Sequence, residues 1–146
     1  MLGEHLIVGL EPKGVPQGLK GTSFPFRYNQ LNELKQIVSQ HGKELAAIVM
    51  EPIRSVWPEE DVLQGVRQIA DKSGAVLMID EISAGFRMNT GGAHLKLGVE
   101  PDIAVFSKAL GNGYPVAAII GNSQVMEAAE ISFISSTYWT ERIGPV

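Results

Sequence analysis

The segment VLMIDEISAGFR, residues 76–87, contains an uninterrupted apolar run that ends in two adjacent carboxylates, Asp80 and Glu81. A short apolar run without polar alternation is typical of a strand that is buried on both faces of a parallel sheet. A charge at the end of such a strand is costly unless a partner group meets it. The segment therefore predicts a buried strand whose end lies against a polar or charged group.

The residues before this run predict a parallel sheet. An earlier apolar run, LAAIVME at 45–51, precedes a helical pattern that we expect to begin at Pro58 to Asp61 and to end at Gly74. Proline and acidic residues favour a first helical turn, and glycine favours a helix end. Strand, helix and strand form a βαβ unit, so the strands at 45–51 and 75–80 should be parallel.

Further elements extend this unit at both ends. Asn29 is predicted to cap a helix that ends at Gly42, and a third strand is expected at 102–107. The connection to a fourth strand at 116–121 is too short for a parallel crossover, so that strand should be antiparallel. The remaining expectations are a helix at 123–131, a short strand at 6–8, and otherwise irregular structure in residues 1–28.

Composition narrows the class of protein. The 146 residues are 45% hydrophobic and 19% charged, which is typical of one globular domain. A formal net charge of −4 without a basic cluster does not favour binding to nucleic acid or to an anionic membrane. There are no cysteines, which excludes disulfides and thiolate metal sites. The start of the chain lacks the pattern of a secretion signal, so we expect a cytoplasmic protein.

Polar residues follow three of the predicted strands: Glu51, Asp80 and Lys108. Ligands of open α/β sheets bind beyond the carboxyl ends of the strands, so these side chains should converge on one site. Buried ion pairs of Asp80 with Lys108 or with Arg87 are a structural alternative. Apolar and small residues around Lys108 should reduce its solvation and favour a neutral amine, which reacts with aldehydes. Gly111 and Gly113 would let the backbone pass close to a ligand.

The segments LMIDEISAGFR and GVEPDIAVFSKALGNGYPVAAIIG resemble the core of class III aminotransferases. AGFR and the region YNQLNEL…AAIVMEP are most similar to the glutamate-1-semialdehyde aminomutase branch. The resemblance is strong over residues 44–121 and weaker over 12–43. It implies a three-layer α/β/α fold with a mixed, mainly parallel sheet, which is the large domain of fold-type I enzymes. It also implies pyridoxal 5′-phosphate as the cofactor.

The resemblance implies roles for individual residues. Asp80 matches the aspartate that binds the pyridine nitrogen and keeps it protonated, and Lys108 matches the lysine that holds the cofactor as a Schiff base. Ile82 matches an aliphatic residue on one face of the ring, and Ser83 stands near the phenolic oxygen. Thr137 matches a threonine that binds the phosphate of the neighbouring subunit's cofactor, which implies a homodimer with a shared active site.

Other polar residues receive supporting roles. Glu51 matches the acid of the family's EP pair. Two roles are possible for it: a carboxylate beside the substrate, or a structural role. Glu81 and Arg87 are expected in supporting ion pairs. The isolated histidines are expected on the surface or in loops; they are His5, His41 and His94.

Two functional hypotheses follow from the length of the chain. Compared with a complete family member, it is expected to lack the N-terminal phosphate-binding segment and the C-terminal small domain. The first hypothesis is transfer of an amino group between small amino and keto substrates, or its migration within one molecule. The alternative is a truncated, non-catalytic fragment that acts as a structural or binding module. A nucleotide-binding domain is disfavoured because no phosphate-binding glycine motif is present.

Overall fold

The computed structural model describes residues 13–14, 16–136 and 142–143, and these contain one four-stranded sheet. The first three strands are parallel to one another, and the fourth is antiparallel to the third. The mixed, mainly parallel sheet predicted from the sequence is therefore confirmed, whereas the strand expected at 6–8 lies outside the described residues. The strands, in their spatial order, are β1 (Ala47–Met50), β2 (Val76–Asp80), β3 (Ile103–Phe106) and β4 (Ala118–Gly121).

Helices connect and flank these strands. They are α1 (Leu31–His41), α2 (Val62–Ser73), α3 (Ala93–Lys96) and α4 (Ser123–Glu130), with short 3₁₀ turns at Gln17–Leu19 and Gly42–Glu44. Gly42 and Gly74 end α1 and α2 with positive φ angles of 51° and 78°, as predicted. Among the described residues, no helix is long and apolar enough to cross a membrane.

Two predicted helix starts are wrong. The side chain of Asn29 bonds the backbone of Trp57 and Glu59 instead of capping α1, which begins after Gln30 without a side-chain cap. Helix α2 begins at Val62, one turn later than expected. The preceding residue, Asp61, has a left-handed φ of 61°, which is incompatible with a continuous right-handed helix from Pro58.

One face of the sheet carries the hydrophobic core. Helices α1 and α2 contact each other and cover this face with Leu34, Leu63 and Val66. The two β2 residues that point into the core, Leu77 and Ile79, have no exposed surface. Burial of such side chains provides about 1.5–3 kcal/mol each, so this face stabilises the fold.

The opposite face of the sheet is open in the described part of the chain. Side chains alternate along a strand, so Val76, Met78 and Asp80 share this face, and all three are half-buried. On the neighbouring strands, Val49 is 55% exposed and Ile119 is 61% exposed. The prediction that β2 is buried on both faces is thus wrong for the described residues, because α1 and α2 pack on the same side.

Candidate active site

Asp80 is the last residue of β2 and lies on the open face. Its Oδ1 accepts a hydrogen bond of 2.9 Å from the backbone N–H of Ile82, and Oδ2 bonds no described residue. No ion pair between described residues includes Asp80, so the alternative pairs with Lys108 and Arg87 do not form. The strand end therefore presents a carboxylate oxygen that is free to accept another hydrogen bond.

Lys108 follows β3 and reaches the turn after β2. Its Nζ donates a 2.9 Å hydrogen bond to the Oγ of Ser83, a residue 25 positions earlier. This contact brings together two residues that the family resemblance assigned to one site. The backbone of Lys108 has a positive φ of 46°, which is uncommon for a residue with a side chain and is held by a turn in which Asn112 N–H donates to the Lys108 carbonyl.

The predicted desolvation of Lys108 is not observed, since the residue is exposed. The reason is that the turn after it, residues 112–115, also lies at the surface. Gly113 has no atom within 4 Å of the position a Cβ would take, so it makes no close approach in the described structure. Gly111 does: its Cβ would lie 2.4 Å from the Tyr114 carbonyl oxygen, which means that this glycine is required by the turn itself.

Ile82 and Ser83 lie in the turn after β2, and both are half-buried. The structure thus brings Asp80, Ile82, Ser83 and Lys108 to the same edge of the sheet, beyond the ends of β2 and β3. Thr137, the predicted phosphate ligand, lies outside the described residues.

Glu51 directly follows β1, and the parallel pairing of Met50 with Ile79 places it next to Asp80 at the same edge of the sheet. Its Oε1 lies 3.3 Å from Nη1 of Arg54, and its Oε2 is buried without a hydrogen-bond partner in the described residues. The nearby Tyr28 donates a hydrogen bond to the Pro52 carbonyl, and its pKa is raised to about 12, mainly by burial and secondly by the charge of Glu51. Glu51 makes no hydrogen bond or ion pair with Asp80 or Lys108, so the open choice between a substrate-side and a structural role persists.

Sequence reasoning missed the partner of Glu81. Its Oε1 lies 2.7 Å from Nδ1 of His94, and both side chains are buried. The placement of His94 on the surface or in a loop is therefore wrong, because Glu81 provides a polar partner for the ring inside the protein. The sequence signal for this contact is the pair of glycines at 91 and 92. A glycine at 92 leaves room for the ring of His94 against the backbone.

The other supporting residues differ from their predictions in smaller ways. Arg87 is exposed and forms no ion pair with a described residue, contrary to expectation. His41 is half-buried at the end of α1, where its ring stacks on Phe24 with centroids 3.8 Å apart. His5 lies outside the described residues.

Comparison with known proteins identifies the family. Residues 22–143 match the family Aminotransferase class-III, and this chain belongs to that family. It is 36% identical over 140 residues to a 3-aminobutyryl-CoA aminotransferase of Cloacimonas acidaminovorans, covering 91% of this chain and 34% of the relative. It is 38% identical over 117 residues to a glutamate-1-semialdehyde 2,1-aminomutase of Syntrophobacter fumaroxidans, covering 77% of this chain and 27% of the relative. The chain therefore spans about a third or less of these relatives' length.

Solved structures share the fold. The FumI protein of Sphingopyxis sp. MTA144, solved in its PLP internal aldimine form, superposes with a TM-score of 0.84 at 26% identity, over 90% of this chain and 33% of that chain. An omega-transaminase from Sphaerobacter thermophilus superposes with a TM-score of 0.76 at 29% identity, over 86% of this chain and 31% of that chain. Both the family resemblance and the mixed, mainly parallel sheet with helices predicted from the sequence are thus confirmed.

Proposed function

We propose that this chain is part of the cofactor-binding domain of a pyridoxal 5′-phosphate enzyme. The complete protein would transfer an amino group between an amino compound and a carbonyl compound, or move it within one molecule. The observation that carries the proposal is the contact of Lys108 with Ser83 beside the free carboxylate oxygen of Asp80. The relatives support the reaction class, because they include both an aminotransferase and an aminomutase.

The residues present fit this cofactor. Asp80 has a carboxylate oxygen without a partner among the described residues, which suits the N–H of a protonated pyridine ring. Lys108 has an exposed amine whose hydrogen bond in the described structure goes to a neutral hydroxyl, so no carboxylate competes for it. Ile82 lies between these groups in sequence, and its aliphatic side chain would pack against the cofactor ring. These groups supply an anion, an amine and an apolar surface at one edge of the sheet.

Each residue would act on a defined atom. When bound, pyridoxal 5′-phosphate supplies an aldehyde that condenses with amines and a ring that withdraws electrons. Asp80 would keep the ring nitrogen protonated through a charge-assisted hydrogen bond. Lys108 would hold the cofactor covalently and, once a substrate amine has displaced it, carry the proton between the substrate Cα and the cofactor C4′. Ser83 would orient the Lys108 amine through the hydrogen bond described above.

The proposal extends to a homodimer with a shared site. Thr137 would bind the phosphate of the partner's cofactor, as the family resemblance implies. Support comes from the apolar residues that precede it, since Ile131 is 91% exposed and Phe133 is 96% exposed. Exposed large apolar side chains in sequence favour a protein interface. We further propose that the rest of the complete protein supplies the phosphate-binding segment and the small domain.

Covalent labelling of Lys108 tests the proposal. The purified chain is incubated with pyridoxal 5′-phosphate, reduced with sodium borohydride, and mapped by peptide mass spectrometry. We expect a pyridoxyl adduct on Lys108, complete loss of this adduct in Lys108→Ala, and no change in Lys72→Ala, which removes an exposed lysine of α2. Label spread over surface lysines, or none at all, would favour the alternative of a non-catalytic module.

A further inference from the structure

Glu81 and His94 form a buried pair that the proposed chemistry does not use. Glu81 Oε1 accepts a hydrogen bond of 2.7 Å from the backbone N–H of His94 and lies 2.7 Å from the ring Nδ1 of the same residue. Because an ionised carboxylate can only accept, the pair is hydrogen-bonded when Nδ1 carries the proton. The other oxygen of Glu81, Oε2, is buried and has no partner among the described residues. A buried polar group that is only partly satisfied is costly, and such a group calls for a functional explanation.

The backbone beside His94 is shaped for this contact. Gly92 has a φ of 124°, a conformation that residues with a Cβ rarely adopt. A Cβ at this position would lie 2.5 Å from Cε1 of His94, 2.6 Å from Nδ1, and 3.1 Å from Oε1 of Glu81. The ring therefore occupies the space that a side chain at position 92 would need, and a glycine there is a condition for the pair.

The pair connects the ends of β2 and β3. The backbone N–H of Glu81 donates a 2.9 Å hydrogen bond to the carbonyl of Val105, which extends the ladder beyond the last residue of β2. The ring of His94 lies against the ring of Phe106, with centroids 6.4 Å apart, and Phe106 is only 3% exposed. Asp80 directly precedes Glu81, and Lys108 comes two residues after Phe106. The buried contact of Glu81 with His94 therefore lies next to the strand ends that carry Asp80 and Lys108.

We propose that Glu81 and His94 are positioning residues that set Asp80 and Lys108 at a fixed separation for the cofactor. The inference rests on the proposed function, because it assigns the pair a task in that site. Neither residue touches the cofactor; they act through the strand ends that carry Asp80 and Lys108. The contact between Glu81 and His94 holds the loop of residues 91–94 against the end of β2, and the packing of His94 on Phe106 transmits this restraint to β3.

Labelling kinetics in matched variants test this role. The rate of reductive pyridoxylation at Lys108 in His94→Ala, His94→Gln and Val66→Ala is measured relative to the rate in the native chain. Conditions are chosen so that circular dichroism shows every variant folded. We expect His94→Ala to lower the relative rate about 10-fold or more, since small displacements of reacting groups have large kinetic effects. His94→Gln should restore it to within about threefold, because the amide N–H can donate to Glu81.

Val66→Ala is the control for general destabilisation. Val66 is 1% exposed in α2, and it belongs to the core cluster on the covered face. This variant should unfold more easily yet label Lys108 at the native rate. An unchanged rate in His94→Ala would overturn the inference while leaving the proposed function intact. Absence of Lys108 labelling in the native chain would overturn the proposed function instead.

A measurement on the native chain decides the case if His94→Ala does not fold. Side-chain ¹⁵N NMR of the histidines reports which ring nitrogen carries the proton. We expect Nδ1 of His94 to be protonated, with a slowly exchanging proton, because it donates to the buried carboxylate. A ring protonated at Nε2 alone would remove the hydrogen bond on which the positioning role depends and would overturn the inference.

Discussion

The two faces of the sheet differ most clearly at the end of β2, where consecutive residues belong to different environments. On the covered face, Leu77 and Ile79 are fully buried beneath α1 and α2, and the fully buried Glu81 follows them. On the open face, Met78 and Asp80 are half-buried, and Asp80 keeps a free carboxylate oxygen. Two adjacent acids are thus placed in opposite settings by the alternation of side chains along a strand.

This difference separates the stability of the chain from its proposed chemistry. The covered face buries large apolar side chains, so substitutions there should change the free energy of unfolding. The open face holds Asp80 together with exposed apolar residues such as Val49 and Ile119. Since the chain spans a third or less of its curated relatives, we propose that other parts of the complete protein pack on this face. Substitutions there should change cofactor chemistry with little effect on folding of the chain.

The largest expected effect comes from Asp80→Asn on the open face. Asparagine keeps an oxygen that can accept the hydrogen bond from the Ile82 N–H, so the fold should be retained. The loss of the negative charge should slow proton abstraction in the complete protein by roughly 10²- to 10³-fold, by analogy with removal of one electrostatic contact to a transition state. Single-turnover kinetics with an amino substrate measure this rate.

Two observations complete the test of Asp80→Asn. Circular dichroism and urea unfolding of the 146-residue chain should match those of the native sequence. A rate of proton abstraction equal to the native rate would remove the role assigned to Asp80. A large loss of stability would instead show that the open-face carboxylate supports the fold, and the contrast between the two faces would fail.

Leu77→Ala and Met78→Ala compare the two faces at neighbouring positions. Leu77 has no exposed surface, so its truncation should lower the free energy of unfolding by about 3 kcal/mol through lost burial and a cavity. Met78 is half-buried on the open face, and its truncation should cost about 1 kcal/mol. Urea denaturation followed by circular dichroism gives both values. Equal losses for the two variants would contradict the difference in burial between the faces.

The sequence predicts the order and direction of the strands because local patterns determine them. The apolar runs before Glu51, Asp80 and Lys108 mark β1, β2 and β3, and the short connection after β3 requires an antiparallel β4. Glycines at 42 and 74 mark the ends of α1 and α2 by their positive φ angles. The family resemblance also predicts that Asp80, Ser83 and Lys108 belong to one site, and the structure brings Lys108 into contact with Ser83.

The features that the sequence does not predict depend on tertiary contacts. Asparagine often caps helices, yet the side-chain amide of Asn29 forms hydrogen bonds with the backbone of the loop at 57–59, 28 to 30 residues away. Glu81 and His94 are 13 positions apart, and the sequence between them has no helix or strand periodicity from which their contact could be predicted. The apolar composition of β2 predicts burial on both faces of the sheet. Composition does not show whether the helices that would cover each face lie within these 146 residues.

The smallest expected effect concerns Tyr28, which lies on the covered face of the sheet. Its ionisation should make the free energy of unfolding depend on pH. This residue packs against the core cluster, and its hydroxyl donates to the Pro52 carbonyl. Burial, and then the charge of Glu51, raise the pKa of Tyr28 from its ordinary value of 10.0 to about 12. Between these values the unfolded chain loses the phenolic proton while the folded chain keeps it. The contribution of Tyr28 to stability is therefore complete below pH 10 and is lost as the pH rises to about 12.

Tyr28→Phe isolates this contribution from the other groups that titrate at high pH. Phenylalanine cannot ionise, so the free energy of unfolding of the variant should fall less steeply than that of the native chain between pH 10 and 12. At pH 7 the variant should be less stable by about 1 kcal/mol, the usual net value of one hydrogen bond. Urea unfolding of both proteins at several pH values measures the difference. Parallel pH profiles would mean that Tyr28 is solvated like an exposed tyrosine, and that the covered layer does not extend to the end of β1.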